Sequence, residues 1–249
     1  MSGHSKWATI KHKKGAADKA RAKIFNKIAR QLEVAAREGG ADPSTNASLR
    51  TVIQKAKGAQ MTNDAIDRAV KRGAGLSDGG TYENITYEGY APGGVAMLVE
   101  VLTDNRNRSS ADVRSTFSKL GGSLAEPGAV GWQFSRRGVL VVKGGDEDTV
   151  MMAALEAGAD DVADDGDGDW RITCDPSIVY DVRDALQAAG IEVVSAESTM
   201  VSSMSVDVTD AEDARKILRI MDALEDLDDV QDVFSNFDIS DELMEEVSA

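Results

Sequence analysis

Cysteine is almost absent from this chain: Cys174 stands alone in 249 residues. A single thiol excludes an intrachain disulfide and a cysteine-built zinc site, and reads as a small buried residue. A reducing, cytoplasmic setting is expected. Histidine is nearly as scarce. His4 and His12 are eight apart near the start, with no cysteine and no acid ligand close by. A zinc site takes three or four ligands, so no metal is expected, and a histidine-based triad has no second place to form. Aromatic residues make up only 5%, which argues against a sheet that reads single strands by stacking bases. No apolar run approaches the roughly 18 residues that span a bilayer. No apolar segment follows the basic start as a secretory signal requires, so no membrane association is expected.

The motifs of nucleotide and calcium chemistry are missing as well. There is no P-loop. The glycines of GAGLSDGG (73–80) follow a helical pattern and not a strand, so the dinucleotide-binding arrangement fails. DDVADDGDGDW (160–170) is like a calcium loop only in composition. Counted from Asp165, position six is Trp170 where the loop needs Gly, and position twelve is Pro176 where it needs Glu. It reads as a solvated acidic loop, and DALEDLDDVQD (222–232) as a solvent face. These absences point away from an enzyme and from any cofactor.

What the sequence does have is charge, unevenly divided. Residues 1–80 hold 16 Lys/Arg and 7 Asp/Glu, a net +9, while 81–249 hold the other 12 and 36, a net −24. Within 1–30 there are nine basic residues against Asp18 alone. Such asymmetry suggests a polyanion-binding end on an acidic body, oriented basic part forward.

The basic end reads as helical. Over 16–38 the spacing gathers Ile24, Ile28, Leu32 and Ala35 on one face with Phe25 and Ala36 beside it. Lys19, Lys23, Lys27, Arg30 and Arg37 fall on the opposite face. Gly39 and Gly40 end the helix. A second helix fits 46–57 and a third fits 62–72, with Thr62 as its cap and Asp64 in its first turn. Short connections imply a small bundle, and 73–80 reads as a linker. The period then changes. Strands are expected at 85–90, 95–102, 129–134, 139–142, 170–174, 191–195, 201–208 and 230–237. Helices are expected at 109–120, capped by Ser109, and at 147–157, 177–189 and 210–224. Mixed order of this kind suggests α+β layers, each a sheet with helices on one face.

Several blocks resemble the YebC/PmpR family: GHSKWATIKHKK (3–14), KAKGAQMTNDAIDRAVKRGAG (55–75), YEGYAPGGVAMLVEVLTDNRNR (87–108) and FSKLGG (117–122). STNASLR (44–50) and VGWQF (130–134) depart from the family pattern. The resemblance implies an α+β fold of three domains, with an N-terminal helical bundle followed by two α/β sandwich-like domains, the third inserted in the second. On this sequence that places the helical domain at 1–80, the second domain at 81–134 plus 205–240, the insert at 135–204 and a tail at 241–249. It also implies a probable transcriptional regulatory protein, related to a mitochondrial translational activator of a cytochrome oxidase subunit.

The residues expected to meet nucleic acid are Lys6, Trp7, Lys11, His12, Lys13 and Lys14 of the arm, Lys19, Lys23, Lys27 and Arg30 of the helix stripe, and Arg106 and Arg108. The lysines and arginines neutralise phosphates and release counterions. Trp7 offers a stacking ring, or else an anchor for the arm. Arg106 and Arg108 stand beside an expected helix start, where phosphate or carboxylate binds. The alternative for these two is pairing with Asp or Glu around a turn. Duplex DNA is the expected target of a monomeric, non-enzymatic regulator. Ribosomal RNA, in a ribosome-associated translation factor, is the alternative, and a protein adaptor using the acidic body is a third reading.

Overall fold

The computed structural model describes residues 18–76, 82–166 and 168–248. The chain forms two compact units, one of Met1–Phe134 with Ser202–Ala249 and the other of Ser135–Val201.

The first unit begins with three helices, α1 (Asp18–Gly39), α2 (Ala47–Gly58) and α3 (Asn63–Lys71). Ile28, Leu32, Ala35 and Ala36 of α1 pack with Leu49 and Ala56 of α2 and Ile66 and Ala69 of α3. Ile24, expected inside, is 45% exposed; Phe25 packs against the core in its place. The helix joints are tied by side chains. Asn46 caps α2 by accepting from the Leu49 N–H, while its Nδ2 donates to the carbonyls of Ala35 and Gly40 at 2.7 and 2.8 Å. Thr62 caps α3, as the sequence indicates. Of the linker expected at 73–80, residues 77–80 lie outside the described residues, and over 73–76 the chain is not free. It forms a wide helical turn over Arg72–Leu76, and Arg72 Nη2 pairs with Glu33 of α1 at 2.6 Å.

The rest of this unit is an antiparallel sheet with helices against it. β1 (Glu83–Tyr90) and β2 (Ala96–Thr103) form a hairpin with Tyr90 opposite Ala96. Its turn needs left-handed backbone at two successive residues, which Gly93 and Gly94 supply at φ 73° and 78°. Then come α4 (Arg106–Lys119), β3 (Ser123–Leu124), β8 (Val206–Val208), α7 (Ala211–Glu225), β9 (Val230–Ser235), β10 (Phe237–Ile239) and α8 (Asp241–Ser248). The main sheet runs β3-β1-β2-β9, and β10 pairs with β8 in parallel. Met97, Val99 and Val101 of β2, with Val233 of β9, face Val113 and Phe117 of α4 and Ile217, Ile220 and Leu224 of α7.

Several expectations need correction here. The expected strand at 129–134 is a turn of 3-10 helix at Gly131–Gln133. Glu88 holds this loop, its carboxylate accepting from the backbone N–H groups of Gly128, Val130 and Gly131. The strand over 230–237 breaks at Asn236, whose side chain accepts from Ala96 N and donates to Gln133. The tail at 241–249 contains α8, which buries Met244.

The unit Ser135–Val201 carries β4 (Phe134–Lys143), α5 (Glu147–Glu156), β5 (Asp161–Gly166), β6 (Asp169–Cys174), α6 (Val179–Ala188) and β7 (Glu192–Ser202). The sheet order β5-β6-β4-β7 is a split β-α-β arrangement. Leu140, Val142, Ile172, Val150 and Val182 form its core with Cys174, which is fully buried. Burial, then the charges of Asp160 and Asp175, push that thiol up to about 11. The stretch expected to be a solvated acidic loop is a hairpin instead. β5 pairs with β6, Val162 opposite Ile172, and its aspartates decorate an edge strand, where charge discourages further pairing.

Candidate nucleic-acid interface

Lys19, Lys23 and Lys27 follow the spacing of one face of α1, and Arg30 continues it. The face bearing Lys23, Lys27 and Arg30 meets the segment where α7 ends and β9 begins. Lys23 Nζ donates to the Asp226 carbonyl and, at 2.8 Å, to Asp226 Oδ1. Lys27 Nζ donates to the Glu225 carbonyl at 2.6 Å. Arg30 Nη1 is 3.2 Å from both the Asp228 carbonyl and Asp229 Oδ1. Lys55 of α2 reaches Asp232 Oδ2 at 3.2 Å.

The end of α7 explains this attraction. Its last residues and those just beyond include Asp222, Glu225, Asp226 and Asp228, and its last turn has no basic residue. Carboxylates at the negative pole of a helix repel its carbonyl ends. The two lysines of α1 supply the missing positive charge and take up two terminal carbonyls. Asp226 and Asp228 keep side chains 79% and 78% exposed, so the run 222–232 is only in part the solvent face expected of it.

Burial lowers the Lys27 pKa from 10.5 to about 8; the neighbouring charges of Glu225, Asp232 and Asp228 work against that shift, and Lys23 works with it. The folded value lies below the unfolded one, so folding disfavours the charged form. That penalty is fully present below about pH 8 and is relieved as pH rises toward 10.5, where only the unfolded chain keeps the proton. Stability should therefore gain through this group across that window, and Lys27→Met should abolish the gain. NMR titration of the Nζ checks it: a midpoint near the ordinary 10.5 would refute the burial argument.

Asp229 is the hub beside this contact. Its residue is 8% exposed. Oδ2 accepts from Arg108 Nη2 at 2.7 Å and Nε at 3.2 Å, with Ser109 Oγ at 2.8 Å and Thr103 Oγ1 at 3.0 Å. Burial alone would raise its pKa; the hydrogen bonds from Arg108, Ser109 and Thr103 outweigh that and hold the carboxyl below the usual range. Arg108 also pairs with Asp104 at 2.8 Å, and these partners raise its pKa further. The cap of α4 is Asn105, which accepts from the Arg108 N–H, not Ser109; Ser109 is buried at the hub because the helix starts three residues earlier than expected. A groove of about 550 Å³ lies here, lined by Lys23, Arg30, Tyr82, Arg108, Asp226 and Asp229 among others. Its mixed charge suits ion pairing within the chain more than one anion.

The expected site residues thus divide. Lys6, Trp7, Lys11, His12, Lys13 and Lys14 lie outside the described residues. Lys19 belongs to the first turn of α1. Lys23, Lys27 and Arg30 converge on one acidic segment, and Arg108 joins them through Asp229. Arg106 is exposed at the start of α4. Sequence reasoning missed Asp229, Lys55 and a second set of cations. Lys57, Arg68 and Lys71 are exposed and, among the described residues, form no ion pair. Arg68 and Lys71 share a face of α3 at i, i+3. The available signal was that residues 55–72 hold five basic residues, Lys55, Lys57, Arg68, Lys71 and Arg72, against only Asp64 and Asp67.

Comparison with known proteins covers nearly the whole chain. Residues 5–76 match the profile of the TACO1/YebC protein N-terminal domain, and 82–237 match that of the TACO1/YebC second and third domain. A probable transcriptional regulatory protein of Rubrobacter xylanophilus is 55% identical over 251 residues, covering 100% of both chains. One from Geobacter sp. (strain M21) is 52% identical over 248 residues, covering 99% of this chain and all of that one. The crystal structure of a conserved hypothetical protein from Aquifex aeolicus superposes with a TM-score of 0.76 at 41% identity, covering 89% of this chain and 91% of its own.

Proposed function

The chain belongs to the TACO1/YebC family, and from that premise we propose that it is a non-enzymatic regulator of gene expression that binds nucleic acid through its basic N-terminal domain. The observation that carries this is charge segregation: +9 in residues 1–80 against −24 in the remainder. A polyanion approaching such a molecule is repelled by the body and drawn to the helical end. Lys57, Arg68 and Lys71 offer exposed ammonium and guanidinium groups there, and the arm from Lys6 to Lys14 adds more charge to the same end of the chain. The names of the relatives, probable transcriptional regulatory proteins, support a regulator. A single buried cysteine suits a cytoplasmic protein, and the reading requires no cofactor.

The test is fluorescence anisotropy of the full chain with a labelled 20-base-pair DNA duplex and, separately, a labelled RNA hairpin. The wild type should bind at least one probe at low salt. The variant Lys57→Gln/Arg68→Gln/Lys71→Gln should bind more weakly. Its slope of log affinity against log salt should flatten by roughly one unit for each duplex phosphate no longer neutralised. Preference for the hairpin would favour the ribosomal RNA target. No binding of either probe by the wild type would overturn the proposal.

A further inference from the structure

The basic face of α1 has the composition of a phosphate-binding surface, and in this structure it is occupied by the chain's own acidic segment. We propose that Glu225–Asp229 is an internal stand-in for a nucleic-acid backbone, and that the face carrying Lys23, Lys27 and Arg30 binds phosphates when α1 and this segment part. The inference rests on the nucleic-acid reading above and adds a second, masked surface to the open one.

Three features support it. First, the segment presents to α1 what a phosphodiester backbone presents: oxygens only. Two carboxylate oxygens and three main-chain carbonyls of Glu225, Asp226, Asp228 and Asp229 receive Lys23, Lys27 and Arg30. Second, the contact is held chiefly by charge. Lys23 and Arg30 keep side chains 31% exposed, and Asp226 and Asp228 remain mostly in water. The exposed pairs of Lys23 with Asp226 and Asp228 are weak and are screened by salt, so a polyanion of high charge density competes with them; Arg30 with Asp229 is the one pair whose acid is buried. Third, the segment is a short connection between the end of α7 and the start of β9. Those elements are anchored independently by Leu224, Val230 and Val233 in the sheet core, so the basic face can be vacated without dismantling the sheet.

The experiment compares four full-length proteins in the same two-probe binding assay. The open variant is Asp226→Asn/Asp228→Asn/Asp232→Asn; Asp229 is left intact because it is buried in its own network. The charge control, Glu156→Gln/Asp161→Asn/Glu192→Gln, removes three exposed acids from the other unit. The third protein adds Lys23→Gln/Lys27→Gln/Arg30→Gln to the open variant, and the fourth is the wild type. The open variant should bind about tenfold more tightly than the wild type, the gain expected if roughly a tenth of native molecules present the vacant face. The charge control should gain far less, and the added Gln substitutions should cancel the open variant's gain. Equal gains in the open and control variants, or a gain that survives replacement of Lys23, Lys27 and Arg30, would overturn the inference. Wild-type binding with no gain in the open variant would overturn it too, while leaving the nucleic-acid reading intact. If none of the four proteins binds either probe at low salt, the nucleic-acid reading falls and this inference with it.

Discussion

Asp229→Ala should lower the stability of the first unit by about 2 kcal/mol, the scale of taking a carboxylate acceptor from buried hydroxyls, with the partly solvated Arg108 and Arg30 losing less. For a unit of this size that corresponds to a fall of roughly 4–8 °C in melting temperature. The loss is large because one carboxylate joins several elements of structure. Arg108 and Ser109 of α4, Thr103 at the end of β2 and Arg30 of α1 all direct donors at it. Removing it takes the carboxylate from two buried hydroxyls and two guanidinium groups; Ser109 keeps the Asn105 carbonyl, Arg108 keeps Asp104 and Arg30 keeps the Asp228 carbonyl. The pH dependence gives a second readout. The folded carboxyl titrates below its ordinary value, so its contribution is fully present above about pH 4. It is lost as pH falls through the lower folded value. The wild type should therefore lose part of its advantage over Asp229→Ala in acid. Arg108→Ala should also lower the melting temperature, whereas Arg106→Ala, an exposed change, should stay within about 0.5 kcal/mol. Equal melting temperatures for wild type and Asp229→Ala would show that the hub contributes nothing to stability.

Gly73→Ala should cost more than about 2 kcal/mol by overpacking. A Cβ at Gly73 would stand 2.1 Å from the Glu33 carbonyl oxygen and 2.7 Å from its carbonyl carbon, both backbone atoms of α1. Neither can move without shifting a helix that carries the bundle core. Two nearby glycines make the comparison informative. Gly75 has φ 89° with nothing within 4 Å of the added atom, so Gly75→Ala should cost only the left-handed strain, about 1 kcal/mol. Gly58, at the end of α2, has open space and no positive φ, so Gly58→Ala should stabilise by about 0.4–1 kcal/mol. Thermal denaturation of the three proteins would give the order Gly58→Ala, Gly75→Ala, Gly73→Ala from most to least stable. A harmless Gly73→Ala would mean that the turn over Arg72–Leu76 does not press on α1.

Local signals were legible. The bundle helices, Thr62 as a cap, the β1–β2 hairpin and most helices of the acidic body follow from period, capping residues and glycine placement, each acting over a few residues. The failures have physical causes as well. Ile24 has the right spacing for a core position, but the adjacent Phe25 makes the contact with the bundle core and Ile24 stays exposed. The aspartates of β5 mask a strand because pairing with β6, not their own propensity, forms it. Asn236 interrupts an apolar run because a strand neighbour and Gln133 need its amide.

The same division holds for the candidate interface. Residue order alone establishes that the chain has a basic helical end and an acidic body, and that Lys23, Lys27 and Arg30 share a helix face. What that face meets is set by the packing of distant segments. Lys27 and Glu225 are 198 residues apart, and they come together because the chain leaves after Phe134, builds a separate unit, and returns at Ser202 to complete the sheet through β9. Charge pattern names the kind of partner but not the actual one, since exposed charges are satisfied by water almost as well as by each other. The bundle and the sheet keep separate hydrophobic cores, so α1 and the end of α7 meet through their charged and polar groups, and which acids are within reach is decided by where the chain returns to the sheet.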